Sequence, residues 1–146
     1  MSGIICAIRG GPESQAPIAQ AISLAEETGL PLVFLYVVNL DFLSHAISSH
    51  VHSITQEMHQ MGEFILLTAQ STARTRGITA QGVVRRGNVT EEIIGVSQEM
   101  AATYVVLGRP KEQEASRFTR DLFQEFVERV EEQAGVTVVL PQEEDV

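Results

Sequence analysis

At 146 residues the chain is sized for one ordinary domain, long enough to bury roughly 70% of its unfolded surface without a disulfide or metal staple. Nineteen acidic side chains against ten Lys and Arg leave a net charge of −9, the wrong sign for gripping a nucleic-acid backbone or an anionic membrane surface. Aromatic residues make up 5% and Trp is absent, which disfavours a base-stacking platform, and Cys6, the single cysteine, excludes an intrachain disulfide and a thiolate zinc cluster. No apolar run approaches the 18 or so residues of a spanning helix. Met1–Ile8 carries neither a basic leader nor a long apolar stretch, so a cytoplasmic location is expected.

Ile4–Ile8 is a short apolar run that ends at Arg9-Gly10-Gly11-Pro12, and its β-branched residues predict a buried strand. Ser14 is placed to cap a following helix, and Pro17 fits its first turn. Ile18, Ala21, Ile22 and Ala25 repeat at helical spacing, and Thr28-Gly29 with Pro31 stops them. Leu32–Val38 is continuously apolar, as in a strand covered on both faces. After a loop around Asn39–Asp41, Ile47, Val51, Ile54, Met58, Met61 and Ile65 form a one-sided stripe, predicting a long helix to about Thr75 with Gly77 as its stop. Ile78–Arg85 is a partly polar strand, expected at a sheet edge. Arg86-Gly87-Asn88 is a turn, with Thr90 or Asn88 capping a helix that carries Ile93, Ile94, Ser97, Met100 and Ala101. Tyr104–Gly108 is a fourth strand. Lys111–Arg120 is polar, a loop or a frayed helix start. Leu122, Phe123, Phe126, Val127, Val130 and Ala134 make a last helical face, ended by Gly135. Val136–Leu140 is a fifth strand closed by Pro141.

Apolar strands alternating with amphipathic helices predict a parallel sheet covered on both faces, a doubly wound α/β fold. Residues 1–141 form one domain in this reading, and 142–146 a short acidic tail. Such folds bind ligands beyond the carboxyl ends of the strands, where the strand order reverses. Arg9, Gly10, Gly11, Val38, Arg86, Gly87, Asn88, Gly108 and Arg109 all fall on that rim. The chain has nine Arg and one Lys, so three Arg on one rim suggest an anion pocket, because guanidinium groups bind carboxylate or phosphate bidentately. The plainer reading, which is preferred, pairs them with local acids such as Glu13 and Glu91.

Three pieces resemble the universal stress protein family: Ile5–Ser14, with its apolar run and Gly-rich turn; Arg86–Ile94, a glycine-led helix entry; and Tyr104–Arg109, the strand that begins the family's nucleotide loop. The resemblance runs from Ile4 to Leu140. It implies a five-stranded parallel sheet in the order 3-2-1-4-5, a stress-response or regulatory role without catalysis, and dimerisation, often by the last strand, here Val136, Thr137, Val138, Val139 and Leu140. It also implies that some members bind ATP. Those members carry an acid at the end of strand one, where this chain has Arg9. Their Gly-x-x-Gly-x9-Gly-Ser/Thr loop starts here at Gly108, but Lys111 stands at the second glycine and Asp121 and Leu122 at the final pair. No glycine lies between Gly108 and Gly135, so the backbone cannot wrap phosphates in the same way. Glu112, Glu114 and Asp121 add negative charge. The expectation is a homodimer without ATP, another cofactor or a metal, and without catalytic residues. It contacts protein partners, and neither nucleic acid nor membrane. The alternative is a sensor of a small anion or nucleotide at the Arg rim. A third reading ranks last: Arg9–Ser14 is also similar to the Ser-Gly-Gly-x-Asp-Ser loop of ATP pyrophosphatases, but lacks its first Ser and carries Glu for Asp.

The four His residues, His45, His50, His52 and His59, lie within 15 residues. His45, His52 and His59 are seven apart, about 10.5 Å along a helix axis, too far for two to share one ion. They read as solvated positions beside the apolar stripe. Cys6 reads as a small core residue, and Thr90-Glu91-Glu92 as helix-start chemistry.

Overall fold

The computed structural model describes residues 3–10, 14–39, 48–108 and 117–141. Five strands alternate with four helices: β1 (Ile4–Ala7), α1 (Gln15–Thr28), β2 (Leu32–Val38), α2 (Ser48–Thr75), β3 (Ala80–Arg86), α3 (Val89–Met100), β4 (Tyr104–Val106), α4 (Arg117–Ala134) and β5 (Thr137–Val139). Every strand pairing is parallel and the order is β3-β2-β1-β4-β5. The strand order switches direction between β1 and β4.

Alternation along β1 divides the core. Ile4, Cys6 and Ile8 face one layer, with Ile22 of α1 and Leu66 and Ala69 of α2. Ile5 faces the other, with Ile93 of α3 and Val127 and Val130 of α4. A side-chain period of two thus feeds both faces from one strand, and burial on both faces is why β1 and β2 read as unbroken apolar runs.

The expected stripe on α2 is off by one position. Among the described residues of α2 those buried are Thr55, Gly62, Leu66, Ala69 and Ala73, while Met61 is 58% exposed and Ile54, Met58 and Ile65 are half-buried. Ile47 and the side chain of Val51 lie outside the described residues. The cause is close approach. A Cβ on Gly62 would stand 2.5 Å from Cδ1 of Tyr36, and a Cβ on Gly82 of β3 would stand 3.2 Å from Cβ of Leu66. Small residues seat the helix on the sheet and push the large ones to its flanks.

Ser14 does not cap α1. Its backbone is helical, and its hydroxyl donates to the Gly10 carbonyl at 3.2 Å. Asn88, rather than Thr90, caps α3: its side-chain oxygen accepts from the Glu91 N–H at 3.1 Å.

The two sheet edges are treated alike. In β3 the Gly87 N–H donates inward to Val38, so by alternation Ala80 points its carbonyl outward, and Gln70 Nε2 of α2 donates to it at 2.9 Å. In β5, Thr137 N–H and the Val139 carbonyl bond toward β4, and the outward Val138 N–H donates to Glu131 Oε2 of α4 at 3.1 Å. The β5 edge, where the family resemblance implies dimerisation, is therefore guarded by the helix that precedes it.

Candidate functional site

The strand ends bring the rim together. Register sets Val38 beside Arg86, and the Ile8 N–H bonds the Leu35 carbonyl at 2.9 Å, which carries β1 level with β2 up to Arg9. A cleft of about 190 Å³ opens here, over the switch between β1 and β4 and on the α3–α4 side of the sheet. Its floor is Ala7, Leu35 and Val37, with Ile8 at the strand end also on its lining. Val89 and Ile93 of α3 form one wall, and Phe123 and Phe126 of α4 the other. The two rings stack with centroids 6.3 Å apart. Leu107 and Gly108, just past β4, close it.

Arg9 supplies the one charge among the cleft's described lining. It is exposed and has no ion pair among the described residues. The site therefore offers an apolar trough with a guanidinium at its mouth. Such a cleft can hold a ring or short aliphatic group and attract an anionic substituent.

Of the expected rim residues, Arg9 and Gly108 line this cleft. Val38 is fully buried beneath the rim. Arg86 lies at the far edge on β3, separated from β1 by β2. It is exposed, with no ion pair among the described residues, and its neighbour Arg85 pairs with Glu99 of α3 instead. Gly87 and Asn88 are spent on the turn and cap of α3. Gly10 belongs to the opposite face of the sheet. Its φ is +83°, and a Cβ there would lie 2.7 Å from Cδ1 of Ile65 on α2, so the glycine serves packing rather than phosphate approach. Gly11 and Arg109 lie outside the described residues. The apolar walls were missed in the sequence. Phe123 and Phe126 carry the same spacing as the core residues Val127 and Val130, and Val89, a large apolar residue at a helix start, was the one local signal.

Cys6 is fully buried, and burial pushes its thiol well above the ordinary range. His59 Nε2 lies 3.0 Å from Glu63 Oε1. His45 and the side chains of His50 and His52 lie outside the described residues. Among the described residues no three His, Cys, Asp or Glu side chains gather as a metal site, and no helix is long and apolar enough to cross a membrane.

The universal stress protein family profile matches residues 1–140. The chain belongs to the universal stress protein family. No curated protein sequence matches it. Among solved structures, a universal stress protein UspA from Lactobacillus plantarum is similar at a TM-score of 0.78 and 14% identity, over 97% of each chain. A family protein from Burkholderia pseudomallei is similar at 0.71 and 21%, over 96% of each. The Archaeoglobus fulgidus universal stress protein in complex with dAMP is similar at 0.64 and 14%, over 97% of this chain and 98% of that one. At these identities the likeness shows the fold, including the sheet order expected from the sequence.

Proposed function

We propose that this universal stress protein is a non-catalytic, cytoplasmic regulatory protein that acts as a homodimer and does not use ATP. The observation that carries the reading is the lining of the switch-point cleft. Arg9 stands where the ATP-binding pattern carries an acid, and the walls are Val89, Ile93, Phe123 and Phe126. The described walls offer no side-chain acceptor for ribose hydroxyls, and the loop after β4 has no glycine between Gly108 and Gly135 to wrap phosphates. Family relatives solved with dAMP and with cAMP make nucleotide binding the rival expectation. Isothermal calorimetry with millimolar ATP separates the two. No saturable heat is expected, and a micromolar dissociation constant overturns the reading.

A second reading, a sensor of a small anion, is favoured by Arg9, which has no ion-pair partner among the described residues. A thermal-shift panel of ATP, AMP, cyclic nucleotides and simple anions tests it. A ligand at 100 times its dissociation constant adds about 2.7 kcal/mol.

A further inference from the structure

We infer that the switch-point cleft takes a small apolar monocarboxylate, a single ring or short branched chain that ends in one carboxylate. The inference rests on the small-anion reading above and names the chemical class of its ligand. Size sets the first limit. A cavity of about 150 Å³ lined by Leu, Ile and Phe holds one benzene ring. This cleft is about 190 Å³, room for a ring and a short side arm. A purine with its ribose and phosphates is far larger. The lining sets the second limit. Apart from Arg9, no side chain of the described lining donates or accepts a hydrogen bond. A polar group pressed against these walls would lose its water and gain no side-chain partner, so the enclosed part of the ligand has to be hydrocarbon. Phe123 and Phe126, stacked at 6.3 Å, present aromatic surface on which a ring packs with an added gain over its buried area.

Charge sets the third limit. Arg9 is exposed and has no ion pair among the described residues. Its guanidinium offers one planar fork of donors at the mouth, the geometry that one carboxylate matches bidentately. A second negative charge finds no second cation in the described lining. Glu91 and Glu92 sit beside Val89 in the first turn of α3, on a chain of net charge −9, and both oppose a polyanion. One charge is therefore matched and two are not. The larger recess between α1 and α2, about 480 Å³, fails on the same count. Arg76, the charged side chain of its described lining, is already paired with Glu26 and bonded to Ser23.

Titration calorimetry of the full chain with phenylacetate, phenylacetamide, acetate, inorganic phosphate and AMP tests the class. Phenylacetate is expected to bind saturably, with a dissociation constant below about 1 mM. Phenylacetamide keeps the ring and loses the charge, and should bind roughly tenfold more weakly. Acetate keeps the charge and loses the ring, and should give no saturable heat. Arg9→Gln should erase the difference between acid and amide while leaving the melting temperature unchanged. Methyl chemical-shift changes at Val89 and Ile93 should mark where the ring sits. Equal binding of acid and amide, or a phenylacetate affinity that Arg9→Gln leaves unchanged, overturns the carboxylate. Shifts confined to Ile18 and Ile65, in the α1–α2 recess, overturn the site. Binding of acetate, phosphate or AMP that Arg9→Gln weakens, with none of phenylacetate, overturns the apolar class and leaves the small-anion reading standing. No saturable heat from any of the five overturns both.

Discussion

Arg9 and Gly10 are joined by one peptide bond and look into different spaces, the first into the cleft under α3 and α4, the second against α2. Their substitution should separate the two roles. Arg9→Ala should leave the melting temperature near wild type, since the side chain is exposed and has no ion pair among the described residues. It should weaken any anion found in the thermal-shift panel by about 1.5–3 kcal/mol, the scale of a hydrogen bond to a charged group. An unchanged ligand response would remove Arg9 from the site. Gly10→Ala should instead cost stability, roughly 1–3 kcal/mol in urea unfolding, because it combines positive φ with a clash on Ile65. Cys6 belongs to the same scale. A buried thiol whose ionisation is suppressed supplies no thiolate, so iodoacetamide should label it at the rate of global unfolding. Rapid labelling of the native protein would contradict the burial.

Helix α2 is where reading the sequence and seeing the structure part company most. Its extent to Thr75 was legible, because six apolar residues at helical spacing mark a helix whichever face they occupy. Its buried face was not, because Gly62, Ala69 and Ala73 mark a close helix–sheet contact by being small, whereas pattern reading weights large residues. The element order and the α/β class were equally plain from continuous apolar strands set between amphipathic segments. In the cleft, Arg9 and Gly108 were legible from their place after strand ends. Phe123 and Phe126 were not, since one helical period serves both core and pocket wall. Two glycines in helices give opposite expectations. Gly62→Ala gains helix propensity, but its Cβ meets the Tyr36 ring at 2.5 Å, and a net loss of about 1–2 kcal/mol should appear in denaturant unfolding. Gly95→Ala in α3 meets nothing within 4 Å and should stabilise by about 0.5–1 kcal/mol. Equal shifts for both would refute the close seating of α2.

Across the whole molecule, a parallel sheet has two edges, and each is met by a polar side chain from the helix just before it: Gln70 on Ala80 and Glu131 on Val138. A free strand edge is a template on which identical chains can stack, and cross-β growth begins from such a template. Val136–Leu140, short, β-branched and uncharged, has the composition that invites it. The Glu131 carboxylate both occupies the one outward N–H of β5 and brings a negative charge that an incoming copy must displace. Replacing Gln70 and Glu131 together by Ala should leave the fold in place yet shorten the lag before thioflavin-positive material forms at high concentration. An unaltered lag would mean that the edges are protected by something other than these two bonds. A protein guarded in this way can accumulate to high levels without its sheets adding to one another, so the two hydrogen bonds set a ceiling on fibril nucleation rather than a share of the folding energy.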